Sequence, residues 1–246
     1  TLAWSAIMLR PWPAIESRGE VRATALRRAS CRSREHDVAQ RADRAYVLKT
    51  QELGEADLIV TGRKKRNAFE KVYVGSHVLD IIRRSPLPVM MGKYMVQYEW
   101  AGEVLTRVND HIFDRPLLAT DWSKPSENAL ELIMAFKNLA RKVVVIHNIG
   151  AKISKGLDVT ALKTIEDESN KRLDDYCRRL EAAGLSAESY LSIGKTTAEI
   201  LRQSREQKAT MIVMGRTGKD WFQEYWLGGV SHRVAEISEL PVLLVP

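Results

Sequence analysis

The chain has 246 residues, 45% of them apolar, a formal charge of +7 and two cysteines. That length can bury one sizeable core or two modest ones. Cys31 and Cys177 lie far apart, in no CxxC or Cys/His cluster, which excludes a disulfide framework or zinc site and fits a reducing cytosol.

No apolar run approaches the ~20 residues that span a bilayer, and Thr1-Leu2-Ala3-Trp4 lacks the basic start of a signal peptide. A soluble cytoplasmic protein with no membrane contact is expected. Arg10, Arg18, Arg22, Arg27, Arg28, Arg32, Arg34, Arg41 and Arg44 crowd the amino-terminal part. No aromatic stacking pattern accompanies them, so they read as a solvated helix face and not as a nucleic-acid surface.

In chain order, Ala3 to Leu9 supplies one strand and the arginine-rich stretch one helix. Leu58 to Thr61 is a strand, and His77 to Met91 a helix followed by a strand. Residues 93–113 mix aromatics and charge and form a connector. Pro116 to Asp121 then reads as a buried strand ending in a carboxylate, with Ser123 capping the next helix and Pro125 in its first turn. Ala129, Leu132, Ile133, Phe136 and Leu139 recur at helical spacing.

Lys142 to Ile146 is a β-branched central strand. A helix from Val159 to Ala183 follows, with Leu162, Ile165, Leu173, Tyr176 and Leu180 as its inner stripe, stopped by Gly184. Ser189 to Ile193, Met211 to Met214 and Val242 to Val245 are further strands. Thr197 to Gln207 and Ser231 to Ile237 are helices.

The same pattern occurs twice. Ala56-Asp57-Leu58-Ile59-Val60-Thr61-Gly62 returns as Ala209-Thr210-Met211-Ile212-Val213-Met214-Gly215. At that same offset Gly75 falls on Gly228, Ser85 on Ser238, and Pro88-Val89 on Pro241-Val242. The fold class expected is α/β: two tandem, doubly wound, mainly parallel sheets of the five-stranded Rossmann-like type. The first copy (1–92) has no counterpart of the Pro116 to Asp121 strand and is incomplete. The second copy (114–246) is complete.

The second copy carries the chemistry. Gly215-Arg216-Thr217-Gly218 is followed, after nine residues, by Gly228-Gly229-Val230-Ser231. Gly215 closes a turn, and Gly218 lets backbone amides approach a ligand. Gly228 and Gly229 open a helix whose free N–H groups favour an anion. Arg216 and Lys219 add positive charge. Asp121 is placed to accept hydrogen bonds from an adenine amino group or a ribose hydroxyl.

With those residues in place, the chain resembles a tandem universal stress protein. The family's signature is glycine, two residues, glycine, nine residues, glycine, then Ser or Thr, and Gly215, Gly218 and Gly228 fall in register with it. Leu117 to Ser123, Val143 to His147 and Pro241 to Val245 resemble its first, second and closing strands. The resemblance implies adenine near Thr120, Asp121 and Asn148. It implies ribose and phosphates at Met214, Gly215, Gly218, Gly228, Gly229, Val230 and Ser231, with Lys219 alongside.

Two departures stand out. Gly229 replaces the hydroxyl residue, which removes one hydrogen bond of ~0.5–1.5 kcal/mol. The first copy keeps Gly75-Ser76 but has Lys65 in place of the second glycine, so it is not expected to bind nucleotide.

The function implied is a stress-response module that binds ATP, or ADP or AMP, with or without magnesium, and acts through a protein partner. The closing strands Val89 to Met91 and Val242 to Val245 are expected to pair as an intramolecular pseudo-dimer, or between chains as a homodimer. A scaffold of the same fold that has lost its ligand is the alternative. A slow ATPase ranks last, because no catalytic base, nucleophile or metal-binding carboxylate pair stands beside the glycine loop. His147 reads as a satisfied strand-end histidine. His232 beside Ser231 points elsewhere on its helix, and Trp221, Phe222, Tyr225 and Trp226 read as an interface seal.

Overall fold

The computed structural model describes residues 7–9, 57–62, 81–92, 94–99, 102–107, 111–216 and 229–246. The arginine-rich segment, Lys65, Gly75, Gly218, Lys219, Gly228 and the aromatic residues 221–226 lie outside them. The first copy contributes β1 (Ile7–Leu9), β2 (Leu58–Gly62), a helical turn at 81–84 and β3 (Val89–Gly92). The connector forms β4 (Tyr94–Glu99) and β5 (Gly102–Arg107).

The second copy runs β6 (Pro116–Thr120), α1 (Lys124–Ala135), β7 (Lys142–Gly150), α2 (Ala151–Lys155), α3 (Val159–Ala182) and β8 (Ser186–Gly194). It continues with α4 (Thr196–Glu206), β9 (Met211–Gly215), α5 (Val230–Ile237) and β10 (Val242–Val245).

One eight-stranded sheet results, in the order β1-β2-β3-β10-β9-β6-β7-β8. The five strands of the second copy are parallel throughout, and this is the α/β architecture expected from the alternation of apolar strands and amphipathic helices. Because successive side chains of a strand face opposite ways, β6 sends Leu117 and Ala119 to one face and Leu118 to the other. Ile200 and Leu201 of α4 and Val234 and Ala235 of α5 cover the first face. Leu130 and Ile133 of α1 and Leu173, Tyr176 and Leu180 of α3 cover the second.

The ends of α3 show how local chemistry sets an element. The Asp158 carboxylate accepts from the Ala161 amide at 2.7 Å and caps the start. Gly184 takes φ +91° at the end. There the Leu185 amide reaches Leu180 O and the Gly184 amide reaches Glu181 O, which satisfies two terminal carbonyls. Two expectations for α1 shift. Its buried stripe is Ser126, Ala129, Leu130 and Ile133, and the helix ends before Phe136 and Leu139.

The closing strands pair with each other inside the chain. β10 runs antiparallel to β3 with Val242 opposite Met91, Leu243 opposite Met90 and Leu244 opposite Val89. By the repeat, Val89, Met90 and Met91 are the equivalents of Val242, Leu243 and Leu244. Equivalent residues therefore exchange partners about the Met90–Leu243 pair, as a two-fold axis requires.

The repeat extends to individual hydrogen bonds. Ile59 N donates to Pro88 O at 3.0 Å and Ile212 N to Pro241 O at 2.9 Å. The Ser85 hydroxyl bridges Leu87 as the Ser238 hydroxyl bridges Leu240.

The copies differ where β6 has no counterpart. β1 occupies that place beside β2 but runs antiparallel, with Ile7 opposite Val60 and Leu9 opposite Leu58. Among the described residues the first copy has no strand that ends beside Gly62 and leads on into a helix. The connector, for which no elements were read from the sequence, holds an antiparallel strand pair with Tyr94 opposite Arg107 and Glu99 opposite Gly102.

Candidate functional site

Neighbouring strands β6 and β9 end together, Ala119 opposite Met214. Beyond them the chain departs to opposite faces, through α1 from β6 and towards α5 from β9. Such a divergence opens a crevice at the carboxyl ends of the strands.

Gly215 holds one wall of this crevice, for a reason different from a turn. A Cβ there would lie 2.8 Å from Pro125 Cβ and 3.0 Å from both Pro125 C and Ser126 N. The absent side chain lets the end of β9 touch the first turn of α1. Gly229 is the opposite case: it caps α5, is exposed, and has open space where a Cβ would stand.

Asp121 braces the turn that enters α1, whose N-cap position is Ser123. Its Oδ1 accepts from the Ser123 amide at 3.1 Å, from the Ser123 hydroxyl, and from the Ser126 hydroxyl at 2.6 Å. The expected cap, Ser123, makes no side-chain bond to the helix backbone and gives its hydroxyl to Asp121 instead. A carboxylate at this end of α1 is favoured by the helix dipole.

Thr120, Trp122 and His147 form the next layer. The Trp122 amide donates to Thr120 Oγ1 at 3.1 Å. Trp122 adopts φ +64°, a left-handed conformation that costs a bulky residue energy. Its ring lies 4.7 Å from that of His147 and 5.1 Å, edge-on, from that of Tyr176, with the Arg172 guanidinium 5.8 Å above it. His147 Nδ1 donates to Thr120 O at 2.8 Å, which fixes its proton on that nitrogen. His147 is thus satisfied as expected, although β7 runs on past it to Gly150.

Behind this layer the Tyr176 hydroxyl donates to Glu127 Oε1 and takes the Thr120 hydroxyl at 3.3 Å. Arg179 Nη1 donates to Glu127 Oε2 at 2.9 Å. Burial works to raise the Glu127 carboxyl, but the Tyr176 hydroxyl and the Arg179 guanidinium together hold it below its usual range. Burial, then the Glu127 hydrogen bond, raise the Tyr176 hydroxyl.

Asn148 is turned away from β6. Its Nδ2 donates to Gly194 O at 3.2 Å and Thr196 Oγ1 at 2.9 Å, and its Oδ1 accepts from Ser192. On the other side of the crevice the Ser231 hydroxyl donates to Arg216 O at 2.6 Å, drawing the start of α5 onto the end of β9. It makes no dyad with His232, whose imidazole is pushed down by burial and by the charges of Arg83 and Arg233, against Glu236.

The Arg216 guanidinium turns to the first copy. Its Nη1 donates to Ile82 O at 3.1 Å and to Ser85 O, at the carboxyl end of the first copy's helical turn. Of the residues expected at a ligand, Thr120, Asp121, Met214, Gly215, Gly229, Val230 and Ser231 lie at the ends of β6 and β9 and at the start of α5. Asn148 is tied to the neighbouring corner.

Trp122, Glu127, Tyr176 and Arg179 were not expected there. Only the position of Trp122 directly after Asp121 signalled it; the others stand on helix faces that read as packing or solvent. Among the described residues no group of three or more His, Cys, Asp or Glu could hold a metal ion. Among them, too, no helix is long and apolar enough to cross a membrane. A shallow concavity near Leu201, Lys208 and Glu239 opens at the opposite end of the sheet, away from the crevice.

The model of the universal stress protein family matches residues 8–93 and 113–246. Universal stress protein MJ0577 of Methanocaldococcus jannaschii is 27% identical over 154 residues, covering 54% of this chain and 95% of its own. Universal stress protein YxiE of Bacillus subtilis is 26% identical over 147 residues, covering 54% and 99%. Each is matched nearly end to end by about half of this chain, as one copy of a repeat would be. A solved universal stress protein from Archaeoglobus fulgidus superposes with a TM-score of 0.54 at 23% identity, over 82% of this chain and 64% of that one, which shows the shared fold. With both stretches matched and the fold shared, this chain belongs to the universal stress protein family.

Proposed function

We propose that the second copy binds ATP, or a related adenine nucleotide, in the crevice beyond β6 and β9, and that the bound state alters contacts with a protein partner in a stress response. The observation that carries this is the meeting of the β9 end with two helix amino termini, that of α1 at Gly215 and that of α5 at Ser231. Free N–H groups at a helix start favour phosphate, and Gly229 leaves open space above those of α5.

In this reading adenine lies near Thr120 and Asp121, with Asn148 behind. Ribose and phosphates lie along Met214, Gly215, Gly218, Gly228, Gly229, Val230 and Ser231, with Lys219 as a counter-charge. The antiparallel run of β1 supports leaving the first copy without nucleotide.

A ligand-free scaffold is the second reading. It is favoured by the polar groups of Asp121, Asn148 and Ser231, which already hold protein partners. Thermal melting with added ATP separates the two. A bound nucleotide at 100 times its dissociation constant adds ~2.7 kcal/mol and raises the melting temperature, whereas the scaffold melts unchanged.

A further inference from the structure

Arg216 makes three different connections. Its amide donates to Val245 O at 2.7 Å, on the last residue of β10. Its carbonyl accepts from the Ser231 hydroxyl at the start of α5. Its guanidinium crosses to the first copy and donates to Ile82 O and Ser85 O. Those carbonyls end a helical turn, where the backbone dipole is negative and cations are favoured.

Its Nε is buried and has no hydrogen-bond partner, and no carboxylate forms an ion pair with it among the described residues. A half-buried cation with a buried orphan donor and, among the described residues, no counter-ion is costly to keep.

We infer that Arg216 is a positioning residue through which the first copy supports the second copy's anion site, so that nucleotide binding and the contact between the copies are coupled. This rests on the nucleotide reading above. A polyphosphate at the start of α5 would stand one hydrogen bond away from the Arg216 backbone. It would supply negative charge where, among the described residues, no carboxylate pairs with the guanidinium. Linkage makes the effect mutual: the nucleotide strengthens the hold on Ile82 and Ser85, and that hold strengthens nucleotide binding. The degenerate copy then has a task that needs no nucleotide of its own.

The test uses the full chain, with ATP affinity by calorimetry and amide hydrogen exchange over 81–92, for the wild type, Arg216→Met and Arg216→Lys. ATP is expected to slow exchange over 81–92 in the wild type. Arg216→Met is expected to bind ATP about tenfold more weakly, within the usual range of coupling between sites, and to lose the slowing. Arg216→Lys keeps the charge but has one nitrogen for two carbonyls, and recovers only part of the affinity.

A wild type that binds ATP with exchange over 81–92 unchanged overturns the coupling alone, as does Arg216→Met binding as tightly as wild type. A wild type that binds no ATP overturns the nucleotide reading and the coupling with it. If Arg216→Met does not fold, the wild-type exchange comparison decides by itself.

Discussion

Leu243 stands opposite Met90 in the antiparallel seam, and each occupies the equivalent position of its own copy. Both are buried, Leu243 at 1% exposure. The seam therefore joins the two copies by core packing, and the sheet is continuous across it. Leu243→Ala removes side-chain volume from this packing and is expected to cost about 2–5 kcal/mol. Urea denaturation measures it. A variant as stable as the wild type would contradict the buried seam.

Two glycines beside the crevice are expected to behave in opposite ways. Gly215→Ala puts a methyl group against Pro125 and the Ser126 backbone, which have little room to yield, and is expected to destabilise by about 1–3 kcal/mol. Gly229→Ser enters open space at a helix cap and restores the family's hydroxyl. It should gain a few tenths of a kcal/mol of stability and, from one new hydrogen bond of about 0.5–1.5 kcal/mol, bind ATP several-fold more tightly. Thermal melts and calorimetry of the pair check both statements; equal costs at the two positions would refute the contrast.

Asp121 is expected to matter without ligand. Asp121→Ala removes the acceptor shared by Ser123 and Ser126 and, by leaving those donors unpaired, should cost about 1–3 kcal/mol in nucleotide-free protein. A change seen only when ATP is present would mean that the carboxylate serves the ligand alone.

Glu127 gives the acid limb of stability. Its carboxyl is held below its usual value in the folded chain, burial being outweighed by Tyr176 and Arg179. The folded state therefore binds this proton less readily than the unfolded state. The contribution is full above the ordinary carboxylate range and is lost as pH falls through the lower, folded value. Wild type should lose more stability than Glu127→Gln on going from about pH 6 to about pH 3, measured by denaturant titration at each pH. Parallel curves would remove Glu127 from the account.

Much of the fold was legible because the signals were local. Strand β9 with its closing glycine and the β10 strand were marked by apolar runs and turn residues that recur at one offset. Gly184 ended α3 because only a residue at ease with positive φ completes that cap.

What was missed depends on residues far apart in sequence. The direction of β1 is set by its partner β2, across a long intervening segment. The β4–β5 hairpin escaped because its strands are joined by Trp100-Ala101, without the Asn-Gly or Asp-Gly signal of a tight hairpin. Arg216 read as charge for the glycine loop because spacing cannot show which way a long side chain turns. Its carbonyl partners lie in the other copy. The role of Asp121 in the turn before α1 was hidden for the same kind of reason. Its partners Ser123 and Ser126 are close in sequence, but which oxygen they meet is decided by the turn at Trp122.

The most direct test of the central claim is mass spectrometry of the small molecules released when the purified protein is denatured, with Gly218→Glu as the control. The account predicts an adenine nucleotide in the wild-type extract and none in the variant. An empty wild type that also ignores added ATP on melting would contradict it and leave a universal stress protein fold that has lost its ligand.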